Sequence, residues 1–296
     1  MNKDELDHIY RHSDPKKGQF SLTSLEDYMS CSRLYWYKKP IGLTPIIKPL
    51  SLVFGGCVHA GVGEWYLNAE DDFDTRKEKV FRAFCKEWEE FGDPEGDGVR
   101  SLEIGLDILD NYCKTYKDDK DVYLNEFIET PASIVMPNGT ELFFRIDRLR
   151  SLGNDYTVVD TKTSKAYLTD WFWVKFKNSF QLIGYAYAVN KLLDGDWDSV
   201  QVDAIKVPRP AKKDTLALDR REFYITDIQF AEFENTYCKV TDQIMKGLEL
   251  PEDEQALYFH QVMTSCDKYG GCSFIELCQF GFDNVSVGSM FERRSG

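Results

Sequence analysis

Residues 144 to 165 read FRIDRLRSLGNDYTVVDTKTSK, two runs at strand periodicity joined by a turn, with charges where a core strand carries none. Asp147 follows an apolar-rich run, Asp160 ends the run Tyr-Thr-Val-Val-Asp, and Lys162 stands two residues further on. Side chains two apart on a strand share a face, so Asp160 and Lys162 point the same way. A fold built on these strands must either solvate that face or give its charges a role. A surface ion pair accounts for an isolated Asp-x-Lys, a common tripeptide, so the surrounding sequence has to decide.

The pair sits in a longer stretch of strand period. From residue 121, VYLNEFIETPASIVM, a Pro-Asn-Gly turn at 137–139, ELFFRIDRLRSL, Gly153-Asn154-Asp155 and YTVVDTKTS predict an antiparallel meander of three strands. WFWVKFKNSFQLIGYAYAVNKLL reads as a helix, followed by strands around 200–208 and 220–226 and a helix from 227 to about 248. The front half is helical. In SLTSLEDYMSCSRLYWYKKP, an early Ser or Thr can cap, Leu25, Tyr28, Cys31 and Tyr35 recur at helical spacing, and Pro40 stops the run. SLVFGGCVHAGVGEWYLNA is a second, apolar helix whose glycines allow a neighbouring backbone to approach closely. Amphipathic helices over 74–91 and 99–117 are separated by the turn-rich FGDPEGDG. Strands with helices on both sides make an α/β core decorated by the N-terminal helices. The expected division is an arm at 1–20, a helical subdomain at 21–120 carrying Cys31 and His59, a core at 121–250 and a cysteine-rich tail at 251–296.

No apolar run approaches the ~18 residues that span a bilayer, and the polar start MNKDELDHIYRHSDPKKGQF is unlike a signal peptide. The expected location is the cytoplasm. A net charge of -14 argues against broad electrostatic binding to nucleic acid, which rests on Lys and Arg neutralising phosphates. A locally basic channel or bound cations can still serve, and association is then weak and salt-sensitive unless a metal or partner protein helps.

Hydrolysis of a phosphodiester needs a positioned nucleophile, a neutralised phosphate and a stabilised leaving oxygen, and one or two Mg²⁺ ions supply all three. Mg²⁺ takes hard oxygen ligands, one or two of them carboxylates. Asp147 and Asp160, on neighbouring strands, can provide these, with the backbone carbonyl of Thr161 as a further ligand. Lys162, on the face of Asp160, can orient the attacking water and stabilise developing charge. Two further features add weight. His59 stands in the glycine-rich apolar helix, and Gln181 and Tyr185, at i and i+4, put polar tips on one helix face.

Taken in order, these motifs resemble the RecB-like branch of the PD-(D/E)XK nuclease superfamily. Its G-x-x-x-H helix matches Gly55 to His59, and its G-x-x-D-R strand matches Arg145-Ile146-Asp147-Arg148. Its D-x-K-T strand matches Asp160-Thr161-Lys162-Thr163, and its Q-x-x-x-Y helix matches Gln181 to Tyr185. The resemblance runs from the Tyr28–Cys31 segment to Cys278. It implies a restriction-endonuclease-like α/β core, a mixed central sheet flanked by helices. It also implies Mg²⁺ or Mn²⁺ held by His59, Asp147 and Asp160, with Lys162 as the catalytic lysine and Gln181 and Tyr185 contacting DNA or bracing the site. Glu126, before Asp147, is a candidate additional acid. The glycine frequent three residues before the first acid is Phe144 here.

Of the eight cysteines, Cys57, Cys85, Cys113 and Cys238 lie singly in helix-like patterns and read as core. SCDKYGGCSFIELC spaces Cys266, Cys272 and Cys278 unlike the close Cys-x2-Cys knuckles of a zinc ribbon. Iron–sulfur clusters take four thiolates from varied spacings. Zinc and unrelated buried cysteines are the other readings. Several RecB-like nucleases, CRISPR-associated adaptation exonucleases among them, hold a 4Fe–4S cluster on one N-terminal and three C-terminal cysteines. The resemblance therefore implies such a cluster on Cys31, Cys266, Cys272 and Cys278, and the longer first spacing is more like that of phage-borne relatives. A cluster there would clip the helical front half to the tail, stabilising by about 3–5 kcal/mol by analogy with disulfides closing long loops.

DWFWVKFKNSF interleaves Trp171, Trp173 and Phe176 with Lys175 and Lys177, a pattern that suits stacking on single strands. Core aromatics with solvated lysines are the plainer account of the same pattern. The expected activity is a DNA exonuclease acting on single-stranded or end-bearing DNA in recombination, repair or processing. The alternative is a catalytically silent DNA- or partner-binding subunit, and a protein partner or homo-oligomer is compatible with either.

Overall fold

The computed structural model describes residues 13–92, 94, 96–119, 121–153, 155–209, 215–267, 271–281, 284 and 288–293. Most of the expected arm, residues 1–12, and Asn154 of the expected turn lie outside the described residues. The chain divides into two compact units, one of residues 1–47, 131–144 and 227–296, the other of residues 48–130 and 145–226.

The first unit carries the short strand β1 (Gln19–Ser21) and helix α1 (Leu22–Ser30). A capping box opens α1, the Ser21 hydroxyl accepting from Ser24 N–H at 3.3 Å and the Ser24 hydroxyl from Ser21 N–H at 3.1 Å. Cys31 then adopts an extended conformation (φ -162°, ψ 109°), and α2 (Ser32–Lys38) starts afresh. The single helix expected here is thus two. Its break is fixed by tertiary contacts: the Ser32 hydroxyl and Arg33 N–H both donate to the His260 carbonyl, at 2.9 and 3.1 Å. The unit also holds the long α8 (Asp227–Leu248), α9 (Glu252–Tyr258), α10 (Ile275–Phe280) and an antiparallel pair, β2 (Leu43–Pro45) with β10 (Phe291–Arg293).

The expected meander is also reorganised. The first run gives β3 (Val122–Tyr123), a 3-10 turn at Asn125–Phe127 and β4 (Thr130–Val135). The second run breaks at Asp147 into β5 (Glu141–Ile146) and β6 (Arg148–Leu152). Strand β5 lies between β1 and β4, parallel to β1. In the second unit β6 joins a five-stranded mixed sheet of order β3-β6-β7-β8-β9, with β7 (Asp155–Ser164), β8 (Ser199–Lys206) and β9 (Ala217–Tyr224). Only β7 and β8 run parallel. Their crossover carries α6 (Asp170–Val174) and α7 (Phe180–Leu193), two helices where the periodicity predicts one. Strand β8 is buried along nearly its whole length, as a strand covered on both faces must be.

Three helices of the second unit, α3 (Leu50–Leu67), α4 (Phe73–Glu90) and α5 (Leu102–Thr115), share one core. Phe54, Val58, Val62 and Trp65 of α3 pack with Val80, Phe84 and Trp88 of α4 and Ile108, Leu109 and Tyr112 of α5. Gly61 sets the α3–α5 approach, since a Cβ there would stand 2.8 Å from Leu109 Cδ1 and 3.3 Å from the Val80 carbonyl oxygen. Gly61→Val is therefore expected to destabilise by about 1–3 kcal/mol through overpacking. Gly56→Ala, with nothing within 4 Å of the new Cβ, should instead stabilise by roughly 0.5–1 kcal/mol through helix propensity. Urea unfolding of the two variants checks the contrast. Among the described residues no helix is long and apolar enough to cross a membrane.

Candidate active site

The site belongs entirely to the second unit, and glycine spacing on α3 makes room for it. Gly55 lies one turn before His59, and a Cβ there would sit 3.4 Å from Thr163 Oγ1 of β7. Gly63 lies one turn after, and its Cβ would sit 3.4 Å from Glu129 Cγ. Bare backbone on both sides lets a strand and a carboxylate close on the helix face that carries the imidazole.

His59 Nδ1 lies 3.2 Å from Asp147 Oδ2 and 3.7 Å from Glu129 Oε1. The three residues can present ligand atoms all within 4.8 Å of one another. Asp147 stands at the β5–β6 break, where Oδ2 accepts the Thr161 N–H at 2.6 Å and its backbone carbonyl accepts the Glu129 N–H at 3.1 Å. Glu129 has φ 47°, a left-handed backbone that costs a non-glycine residue about 1–3 kcal/mol. Its second carboxylate oxygen meets Arg145 Nε at 3.4 Å.

Asp160, 2% exposed, stands beside Lys162 on one face of β7. The Lys162 ammonium donates to Asp160 Oδ1 at 3.1 Å and to Gln181 Oε1 at 2.8 Å, and the Gln181 amide donates to the Tyr185 hydroxyl at 3.0 Å. Asp160 Oδ2 lies 2.9 Å from the same ammonium yet accepts no well-oriented hydrogen bond. His59, Glu129 and Asp147 offer the imidazole and hard oxygen ligands that a divalent cation takes. The donor set fits a divalent metal.

Electrostatics separate the two aspartates. Burial pushes the Asp147 carboxyl up, but the His59 charge and hydrogen bond, then Lys162 and the Thr161 N–H, hold it well below the usual carboxylate range. For Asp160 burial wins, reinforced by Asp147, and its pKa rises despite Lys162 and His59. Burial would lower the His59 pKa, but Asp147 and Glu129 outweigh it and raise the value to about 10. The metal-free imidazole is thus protonated at neutral pH, and a metal ligating it must displace that proton.

Behind these residues lies a polar network that joins strand and helix side chains. Arg148, 1% exposed, donates to Asp203 Oδ2 at 2.7 Å and to Thr161 Oγ1 at 3.0 Å. Arg220 Nε lies 3.1 Å from the other Asp203 oxygen, which also accepts from Gln201 at 2.7 Å. The Tyr112 hydroxyl donates to Asp203 Oδ2 at 3.1 Å, and Arg148 stacks over Tyr66 at 4.5 Å. The network grips the residues next to both aspartates, Arg148 after Asp147 and Thr161 after Asp160.

The structure thus brings His59, Asp147, Asp160, Thr161, Lys162, Gln181 and Tyr185 together. Glu126 lies apart on the exposed 3-10 turn, and Glu129, three residues on, faces His59 instead. Nothing in the spacing separates the two glutamates. Only the Thr-Pro that follows Glu129 marks it as the residue entering a strand. Of the aromatic segment, Trp173 and Phe176 are buried, Trp171 is 84% exposed, and Lys175 lies over the Phe172 ring at 4.3 Å.

The four singled-out cysteines all lie in the first unit and are free thiols. Cys31 Sγ accepts the Val262 N–H at 3.4 Å, and the Cys272 N–H donates to the Cys266 carbonyl at 2.8 Å. Burial pushes the Cys272 and Cys278 thiols up. Cys31 and Cys266 add to this at Cys272, and Cys31 and Cys272 at Cys278.

Residues 19–279 match the family model of the PD-(D/E)XK nuclease superfamily. No curated protein matches the chain.

Proposed function

The chain belongs to the PD-(D/E)XK nuclease superfamily, and from that premise we propose that it is a Mg²⁺- or Mn²⁺-dependent deoxyribonuclease of the RecB-like branch, working from the ends of single-stranded or end-bearing DNA. The observation that carries this reading is the donor group of His59, Glu129 and Asp147, with the buried Asp160 and its positioned lysine on the adjoining strand. His59, Asp147 and Asp160 hold the metal, with Glu129 in the place first given to Glu126 and the Thr161 carbonyl as a further ligand. A divalent cation bound there neutralises the scissile phosphate and supplies an activated water. Lys162, held between Asp160 and Gln181, presents a fixed ammonium that stabilises negative charge developing on the phosphate. Gln181 and Tyr185 brace that lysine, a role their hydrogen-bond chain favours over contact with DNA.

Action on single strands is supported by Trp171, exposed on α6, and by Tyr167, 54% exposed with Lys206 and Arg209 each 4.9 Å from its ring centroid. Exposed aromatics beside cations stack bases without reading sequence. The expected result is digestion of a linear single strand while its covalently closed circle survives. Equal digestion of both would make the enzyme an endonuclease. Recombination, repair or DNA processing is the setting such an activity suits.

Cys31, Cys266, Cys272 and Cys278 hold a 4Fe–4S cluster in this reading. The break of the α1–α2 helix at Cys31, which frees that thiol from a helical register, supports it. Anaerobically purified protein is expected to be brown, with about four irons and a broad band near ~400 nm, and Cys272→Ala to lose most of both. A colourless, folded, iron-free wild type would sink the cluster. The net charge of -14 favours a second reading, a silent DNA- or partner-binding subunit, and metal-dependent turnover by the purified chain rules it out.

A further inference from the structure

Away from the metal site, the second unit carries a cleft of about 530 Å³, lined by Trp65, Phe73, Arg76, Lys114 and Lys117 among others. Trp65 lies six residues along α3 from His59, roughly 120° around the helix and about 9 Å along it, and the cleft shares no residue with the metal site. Arg76 is the feature that needs explaining. It is 8% exposed and makes no ion pair among the described residues. Its guanidinium stacks 3.5 Å from the Trp65 ring centroid, and Nε donates to the Trp65 carbonyl. The remaining guanidinium donors have no acceptor among the described residues, and the buried Trp65 indole N–H has none either.

An arginine stays charged in proteins, and the terminal nitrogens of Arg76 are not among the buried unpartnered atoms, so they open onto the cleft with no protein acceptor among the described residues. Stacking on Trp65 and one carbonyl fill only part of its donor shell. The two acids on the cleft wall do not complete it, since Asp71 is paired with Lys79 at 2.7 Å and Asp118 lies 4.0 Å from Lys117. Lys114 and Lys117 stand exposed at the rim, Lys114 paired with Asp110. We propose that this cleft is an anion site for a phosphoryl dianion, gripped by the Arg76 guanidinium with Lys114 and Lys117 at its mouth. A guanidinium fork matches phosphate oxygens in bidentate fashion, and Lys117, whose Asp118 partner lies 4.0 Å away, can add a second positive charge at the mouth. The same group can come from inorganic phosphate or from a 5′-mononucleotide.

The test is thermal unfolding in EDTA at constant ionic strength, titrated separately with inorganic phosphate and with thymidine 5′-monophosphate against chloride. The expected result is a saturable rise of about 5 °C with at least one of them. A half-saturation at least about tenfold lower for the nucleotide assigns the site to nucleotides, and equal values assign it to phosphate. Arg76→Gln should raise the half-saturating concentration about tenfold or more, and Lys114→Gln/Lys117→Gln about threefold. The proposal is overturned if neither anion exceeds chloride or if Arg76→Gln titrates like the wild type. Should Arg76→Gln not fold, an unchanged titration of the double lysine variant overturns it instead.

Discussion

Asp160→Asn is expected to reduce metal-dependent DNA cleavage by about 10³-fold or more while leaving the protein folded. The substitution keeps the side chain's shape but removes the proposed metal ligand and the acid that fixes Lys162. Its effect on stability has the opposite sign. Because burial and Asp147 raise the folded-state pKa of Asp160, the folded state holds that proton more tightly than the unfolded state. This contribution to stability is therefore greatest at low pH and falls as pH rises from the unfolded value through the folded one. Above the unfolded value the raised pKa is a cost to the folded state, and the metal-free variant should melt at or above the wild-type temperature at neutral pH. Mg²⁺ or Mn²⁺ should raise the melting temperature of the wild type and not that of the variant, since only a state that binds the ion is stabilised by it. Cleavage retained in the variant would remove Asp160 from the site.

Asp203→Leu is expected to give the largest loss of stability of any single substitution considered, about 5 kcal/mol. Asp203 is 1% exposed and lies between two guanidinium groups, Arg148 at 2.7 Å and Arg220 at 3.1 Å, with Tyr112 and Gln201 also donating to it. Removing the acid leaves Arg148 buried with no counter-charge, while Arg220 keeps only Asp119 at 2.6 Å. Arg148→Met should cost less, about 3 kcal/mol, because Arg220 continues to neutralise Asp203. The double variant should lose less than the sum of the two, as contacting residues of one network do. Urea unfolding at neutral pH orders the three, and Asp203→Leu at wild-type stability would refute the network. Arg148→Met should also weaken metal binding, since Arg148 anchors Thr161 and follows Asp147 directly.

The reasons these residues were or were not visible in sequence differ. His59 stood out because a histidine in a glycine-rich apolar helix is out of place, and the glycines around it do clear space for β7 and Glu129. Asp160 and Lys162 were visible through strand alternation. The break at Asp147 was not, because ELFFRIDRLRSL keeps one period while its halves pair with different partners, β5 with β1 and β6 with β7. Periodicity reports which face is buried and says nothing of the neighbouring strand. The split at Cys31 was hidden for a like reason, since its cause is the carbonyl of His260, more than two hundred residues away. Asp203 carries no motif in the sequence, and its burial follows from β8 being covered on both faces, which only the assembled sheet reveals.

The measurement that bears most directly on the central claim is cleavage of an end-labelled linear single strand by wild-type protein first stripped with EDTA and then given Mg²⁺ or Mn²⁺. The strand should stay intact in EDTA and be degraded once the metal is returned. A strand that survives in every metal, or that is degraded equally in EDTA, would contradict a metal-dependent nuclease built on His59, Asp147, Asp160 and Lys162.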